Sequence, residues 1–284
     1  MADFYKYHGL GNDYLVVDPN KAKIKALTQD VIKKICDRQK GVGSDGILYG
    51  PFVENEKISF RIFNPDGSES EKSGNGIRIF AKYLLDENYE SSPHFTIHTL
   101  AGAVEIEVID INKGLLKANM GKYTLLKNEE NTMTDIDSQD IFEALNVLGS
   151  HFKITRLSVG NPHCVIFQNN LSMAYTHEYG PFIETHSLFP KRTNVQFVKI
   201  IDRETIQIEI WERGAGYTLA SGTSSCAAAS ASYEHGFVDN CVTVKMPGGD
   251  MRVEITDGKD LFLTGPVSKV CEGDLSNNFL QQLK

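Results

Sequence analysis

Two serines stand at comparable points of the chain, each immediately ahead of a run whose spacing predicts a helix. Ser73 opens Ser73-Gly74-Asn75-Gly76, after which Ile77, Phe80, Ala81 and Leu84 recur at i, i+3, i+4 and i+7, one face of a helix. Ser221 opens Ser221-Gly222-Thr223-Ser224, followed by Cys226, Ala227, Ala228, Ala229 and Ala231, small and apolar almost all round, which suits a helix enclosed by sheet. The first backbone N–H groups of a helix have no partner inside it, and such ends bind carboxylates well. An isolated Ser-Gly before a helix is ordinarily only a cap, worth about 1 kcal/mol. Here each serine follows a polar, glycine-rich segment, Asn64-Pro65-Asp66-Gly67-Ser68-Glu69 in one case and Glu212-Arg213-Gly214-Ala215-Gly216 in the other. Turn chemistry accounts for the glycines but not for Glu212 and Arg213. If two such helix starts face one ligand across a cleft, a side chain approaches it from each side. That is the geometry of a two-base isomerase, in which one group removes a proton from a carbon and another delivers one to the opposite face.

The elements that must position these serines come in two copies. Gly11 to Val17 (GNDYLVV) recurs as Gly160 to Ile166 (GNPHCVI), 149 residues later; Ser73 and Ser221 are 148 apart; Thr96 to Val108 and Thr243 to Ile255, each reading as strand, glycine turn and alternating strand, are 147 apart. Three near-identical offsets over separate segments indicate a duplicated, strand-rich α/β unit of ordinary domain size. The expected organisation is an N-terminal lobe over residues 1–124, a C-terminal lobe over 125–269, and a tail, 270–284, returning to the first lobe. The polar stretch Lys127 to Asp140 reads as a linker with a helix beginning near its end.

Composition narrows the function classes. With 41% hydrophobic and 23% charged residues and no run approaching the roughly 20 apolar residues that span a bilayer, membrane insertion is not expected. Met1 to Val17 lacks the basic region and apolar run of a signal peptide, so a cytoplasmic location is expected. A formal charge of −8 argues against nucleic-acid binding. The five cysteines, Cys36, Cys164, Cys226, Cys241 and Cys271, are widely spaced with no C-x-x-C pair, which predicts buried, reduced thiols rather than disulfides or a zinc site. No metal, pyridoxal phosphate or nucleotide motif is present, so no cofactor is expected.

Six strings together resemble the diaminopimelate epimerase family: HGLGNDY at His8, GVGSDGIL at Gly41, FNPDGSESEKSGNGIR at Phe63, GNPHCV at Gly160, RTNV at Arg192 and ERGAGYTLASGTSSCAAA at Glu212. The resemblance implies an α+β fold of two pseudo-symmetric lobes, each a strand barrel around a central helix, and a homodimer. It implies cofactor-independent interconversion of LL- and meso-diaminopimelate, a step toward lysine and cell-wall precursors, on a small amino-acid substrate. By position, Ser73 and Ser221 occupy the places of the family's two catalytic cysteines, and His163 and Glu212 those of the residues that assist them. Asn12, Gly74, Asn75, Gly222 and Thr223 match the part that holds the reacting α-amino-acid end. Asn64, Asn161, Asn194 and Arg213 match the part that grips the distal end, where an arginine suits a bidentate carboxylate contact. A serine hydroxyl is a far weaker acid than a thiol. A gap of about four pKa units would cost roughly 5 kcal/mol, a rate loss of thousands-fold for thiol-type catalysis. Ile79 and Tyr217, where the family often has cysteine and glutamate, point to a natural variant. The alternatives are a racemase or isomerase for another amino acid and a catalytically silent ligand-binding paralogue.

Overall fold

The computed structural model describes residues 2–24, 26–126 and 141–283; the expected linker, Lys127 to Asp140, lies outside them, and the first element after it is a strand, Glu143–Val147, rather than a helix. The chain divides into two compact units, Met1–Asn119 with Thr264–Lys284, and Met120–Leu263. Among the described residues no helix is long and apolar enough to cross a membrane.

The first unit opens with the strands β1 (Phe4–Gly9) and β2 (Asn12–Val17), then helix α1 (Gln29–Cys36), and β3 (Ile47–Glu54), β4 (Lys57–Phe63) and the short β5 (Glu69–Ser70). Helix α2 (Gly74–Asp86), β6 (His94–Thr99), β7 (Gly102–Asp110) and β8 (Leu115–Lys122) follow. The sheet runs antiparallel from β1 to β2, parallel from β2 to β3, antiparallel from β3 to β4, parallel from β4 to β6 and antiparallel from β6 to β7.

The second unit repeats that order. After β9 (Thr124–Leu125) and β10 (Glu143–Val147) come β11 (Ser150–Ser158), β12 (Pro162–Phe167), α3 (Met173–Glu184), β13 (Asn194–Asp202), β14 (Thr205–Glu212) and β15 (Gly216–Thr218). They are followed by α4 (Gly222–Glu234), β16 (Cys241–Met246), β17 (Gly249–Ile255) and β18 (Asp260–Pro266). The pairings alternate as before: β11–β12 antiparallel, β12–β13 parallel, β13–β14 antiparallel, β14–β16 parallel and β16–β17 antiparallel. The duplicated sequence is therefore a duplicated topology. The last elements, β19 (Ser268–Gly273) and α5 (Asn277–Gln282), belong to the first unit, and β19 pairs antiparallel with β1.

Each unit carries one enclosed helix, and composition explains why. On α2, Gly74 to Ala81, Tyr83 and Leu84 are all buried, Phe80 stacking on Phe60 of β4 at 4.1 Å between ring centroids. On α4, Gly222 and Ser224 through Ser232 are buried, and only small side chains let surrounding sheet come so close. Two of the serines inside α4 turn back on the helix, Ser225 Oγ donating to Ser221 O and Ser232 Oγ to Ala228 O, which satisfies hydroxyls that would otherwise be buried alone. The other helices, α1 and α3, cover outer cores, one around Leu15, Val17, Ile32, Ile35 and Ile47, the other around Ile154, Ile166, Ile183, Val195 and Phe197. Three of the five thiols are buried as expected, Cys36, Cys164 and Cys226, whereas Cys241 is half-buried and Cys271 exposed. Cys241 starts β16, a strand with one solvated face, and Cys271 lies on β19, which is exposed along nearly its whole length.

Candidate functional site

Ser73 and Ser221 cap their helices in nearly the same way. Ser73 has φ −140 and ψ 119, and its Oγ accepts from Gly76 N at 3.1 Å; Ser221 has φ −144 and ψ 127, and its Oγ accepts from Ser224 N at 3.4 Å. In this cap one early N–H is bound by the serine, while those of Gly74 and Asn75, or Gly222 and Thr223, have no acceptor within their helix. Packing around residue 76 is tight, since a Cβ there would lie 3.1 Å from both Leu48 Cδ2 and Ser73 Cβ.

In the first unit the structure brings Asn12, Ser73, Gly74 and Asn75 together. Asn75 Nδ2 donates to Asn12 Oδ1 at 3.0 Å, and Asn12 Nδ2 donates to Asp45 Oδ2 at 2.9 Å. The fully buried Arg78 donates to Gly74 O at 2.9 Å and to Asn75 Oδ1 at 2.7 Å, fixing which way the Asn75 amide faces. At the other end Arg38 binds both Asp45, at 2.7 Å, and Asp13, at 2.6 Å. Burial alone would raise the Asp13 carboxyl, but Arg38 and Lys6 outweigh it and hold it below the ordinary carboxylate range. A charged anchor at each end thus orients two asparagines beside the head of α2. The hydrogen bonds of Asn64 lie within its own turn. Its backbone and amide close the turn between β4 and β5, with Asn64 N donating to Ser68 O at 2.8 Å and Asn64 Nδ2 to Ser68 Oγ at 2.9 Å.

In the second unit His163, Asn194 and Glu212 lie on the neighbouring strands β12, β13 and β14, with Asn161 just before β12 and Arg213 in the turn just after β14. Asn161 Oδ1 meets His163 Nε2 at 2.8 Å. Asn194 stitches two strands together, its Nδ2 donating to Pro162 O at 2.9 Å and its Oδ1 accepting from Arg213 N at 3.0 Å. The Arg213 side chain is exposed and donates from Nη1 to Lys191 O at 3.2 Å, while Glu212 accepts from Thr218 Oγ1 at 3.2 Å. His163 is 1% exposed, and burial pulls its imidazole down to about 3, with Gln196 opposing and Arg213 adding to the shift, so the ring is neutral at ordinary pH. Gln196 also donates to Ser224 Oγ at 3.0 Å, which links β13, the strand beside that of His163, to the first turn of α4, where Ser221, Gly222 and Thr223 sit.

Two supports were not evident in the sequence. Glu184, buried at the end of α3, accepts from Trp211 Nε1 at 2.7 Å and Gly214 N at 2.8 Å and pairs with Arg192, so one carboxylate holds the turn that presents Arg213. Tyr14 places its phenol oxygen 3.1 Å from Ser73 Oγ. The sequence carried a signal for Tyr14 alone: it lies 149 residues before His163, at the spacing of the duplicated GN strings. Among the described residues no group of three or more His, Cys, Asp or Glu is arranged to hold a metal. Burial pushes the thiols of Cys36 and Cys164 up, which makes both poor nucleophiles at ordinary pH.

A family model described as diaminopimelate epimerase matches residues 4–126 and 155–270. The chain is 47% identical over 274 residues to diaminopimelate epimerase 2 of Nostoc sp. strain PCC 7120, spanning 96% of this chain and 95% of that protein. It is 40% identical over 275 residues to the diaminopimelate epimerase of Pelotomaculum thermopropionicum, spanning 95% of this chain and 98% of the relative. Among solved structures, a probable proline racemase from Agrobacterium radiobacter K84 with bound carbonate superposes with a TM-score of 0.69 at 14% identity, covering 98% of this chain and 93% of that one. A methylitaconate-delta-isomerase gives 0.61 at 12% identity, covering 96% and 94%. At such identities the structures share the fold, an α+β architecture of sheet and few helices.

Proposed function

Because the chain belongs to the diaminopimelate epimerase family, we propose that it interconverts LL- and meso-diaminopimelate by moving a proton between the two faces of one α-carbon, in lysine and cell-wall precursor synthesis. The observation that carries this reading is the pair of like-built helix heads, each a serine cap followed by N–H groups without an intrahelical acceptor. The substrate's α-carboxylate binds the N–H groups of Gly74, Asn75, Gly222 and Thr223, with Asn12 beside them. The helix ends favour the extra negative charge that builds as the α-proton leaves. Ser73 and Ser221 act from opposite faces, one accepting the α-proton and the other donating its replacement, assisted by His163 and Glu212. The neutral His163 suits a proton acceptor or a hydrogen-bond donor rather than a fixed positive charge. The distal carboxylate pairs with the exposed Arg213 guanidinium, whose backbone Asn194 holds, with Asn64 and Asn161 completing that end. This chemistry needs no cofactor. Five free cysteines fit a reducing compartment such as the cytoplasm, and the family's habit supports a homodimer.

Incubating the protein with LL-diaminopimelate in deuterated water tests the proposal. Deuterium should enter the α-position as meso-diaminopimelate forms. Binding without exchange, at high enzyme concentration and long times, would overturn it in favour of a silent ligand-binding paralogue. Exchange with another amino acid but not this one would redirect it to a different substrate.

A further inference from the structure

Replacing a thiol by a hydroxyl leaves a specific chemical gap. If Ser73 Oγ takes a proton from carbon, its own hydroxyl proton must go somewhere, and an aliphatic alcohol does not shed it readily. Among the described residues, Tyr14 is placed to receive it. Tyr14 Oη lies 3.1 Å from Ser73 Oγ, either atom being able to donate, while Gly76 N occupies another Oγ acceptor position at 3.1 Å. If Tyr14 donates, the serine proton is left to point outward, as an acid needs. If Ser73 donates, an Oγ lone pair is left outward, as a base needs.

The phenol is held there by packing. Tyr14 is 7% exposed, and its ring lies over Gly46, where a Cβ would come within 2.8 Å of Tyr14 Cε1 and 2.4 Å of Phe63 O. Its strand, β2, is bound to the same residue through Leu15 N donating to Gly46 O at 3.1 Å. Tyr14 also has a counterpart in the duplication: it occupies on β2 the place His163 occupies on β12, 149 residues later, each strand pairing parallel with the next long strand of its unit. Each copy therefore carries a proton-exchanging ring at the same point of the fold.

We infer that Tyr14 is the proton partner of Ser73, a positioning and relay residue that acts through the serine in place of the acidity of a thiol. In deprotonation Tyr14 enters as phenolate. The Ser73 Oγ–H bond breaks as a Tyr14 Oη–H bond forms; the Cα–H bond breaks as a new Oγ–H bond forms, its electron pair remaining on carbon, so one negative charge passes from phenolate to carbanion. In the reverse direction Ser73 gives its proton to the carbanion and is refilled from Tyr14 Oη–H, which returns to phenolate. Exchange should rise with pH as the phenol ionises.

This role rests on the proposed epimerase reading, and two measurements separate the failure of one from the failure of the other. The first is α-deuterium exchange of LL-diaminopimelate against pH for the unaltered protein and Tyr14→Phe, a change that removes one oxygen. The expected result is a loss on the order of 100-fold in kcat with little change in KM, and disappearance of the alkaline rise. An unchanged rate and pH profile in Tyr14→Phe would overturn the role. The second needs no epimerase activity. Ser73→Cys, alone and combined with Tyr14→Phe, is alkylated with iodoacetamide over a range of pH, and the peptide containing residue 73 is followed by mass spectrometry. A phenol donating to the thiolate should lower the midpoint by about one pH unit relative to the double variant. Equal midpoints would show that the phenol does not engage the side chain at this position and would overturn the inference, whether or not the unaltered protein exchanges substrate protons.

Discussion

Lowering the pH below 6.5 should weaken the second unit through His163. Burial holds this imidazole neutral by pulling it from 6.5 down to about 3. An unfolded chain takes up a proton at this residue near pH 6.5 that the native unit cannot accept until about pH 3. The stabilisation is therefore complete above pH 6.5 and is lost progressively as the pH falls toward 3, because across that window the unfolded state binds one more proton. Each pH unit is worth about 1.4 kcal/mol once the unfolded residue is fully protonated, so the loss from pH 7.5 to 4.5 is about 2.7 kcal/mol. Other groups titrate in the same range, among them Glu234, whose carboxyl burial would raise but Lys259 and Tyr123 hold below its ordinary value. The effect must be read as a difference. Guanidinium unfolding of the unaltered protein and of His163→Gln, at pH 7.5 and 4.5, can be followed by the fluorescence of Trp211, the single tryptophan of the chain, which lies on β14 in the same unit. The unaltered protein should lose about 2.7 kcal/mol more than the variant between the two conditions. A difference under about 1 kcal/mol would refute the reasoning, since His163 would then bind its proton as readily folded as unfolded.

Introducing Ser73→Cys and Ser221→Cys together should raise α-deuterium exchange by a factor on the order of thousands, reflecting about 5 kcal/mol of acidity regained; no gain would mean that more than the two thiols is missing. Glu184→Ala removes the acceptor shared by Trp211, Gly214 and Arg192. It should cost the second unit about 3 kcal/mol, shift Trp211 emission toward that of an exposed indole and weaken dicarboxylate binding by loosening the Arg213 turn, measurable by denaturation, fluorescence and calorimetry. Gly180→Ala sets about 1 kcal/mol of helix propensity against a Cβ placed 2.6 Å from Trp211 Cγ. Since Glu184 pins that indole, the clash should win, and a midpoint of denaturation equal to or above that of the unaltered protein would contradict this packing.

The parts of the fold legible in the sequence were those with a local physical signature. The heads of α2 and α4 were marked by serine and glycine ahead of apolar periodicity, and the paired strands β6–β7 and β16–β17 by alternation around a glycine turn. Helix α3 was hidden because Pro181, placed inside it, reads locally as a breaker. Nothing local in the sequence marks Arg78 as interior, yet it is fully buried, since the groups it satisfies, Gly74 O and Asn75 Oδ1, are enclosed with it. Glu184 gave no signal at all: its partners Trp211 and Gly214 are 27 and 30 residues away, and only the docking of α3 on β14 brings them to it. Asn64 shows the opposite difficulty, since the same asparagine before Pro and Gly serves a turn or a ligand, and its bonds to Ser68 make it a turn residue whatever else it binds.

Duplication gives the two units one backbone plan. The backbone solution is shared: a parallel strand pair, a tight turn after the fourth strand, and a serine-capped helix enclosed by sheet. What differs is the side chain at each shared place. The ring beside the helix head is a phenol in one unit and an imidazole in the other, at Tyr14 and His163. The residue entering the turn is Asn64 in one and Arg213 in the other, again 149 apart. The position opposite the ring on the adjoining strand is Gly46 beside Tyr14, leaving room for a phenol, and Asn194 beside His163, where an amide binds Pro162 O and Arg213 N instead. Under the proposed reaction the conserved features, two helix heads, do what the two faces of the α-carbon require alike. The diverged features supply what the substrate requires only once, a guanidinium for the distal carboxylate from the second unit and, in this serine variant, a phenol for the relay from the first. Exchanging the rings, Tyr14→His with His163→Tyr, should for that reason fail to preserve function even though each backbone place accepts a ring. The phenol would then sit where the nearest α4 contact runs through Gln196 to Ser224 rather than directly to the capping serine, and α-deuterium exchange should fall below that of Tyr14→Phe alone.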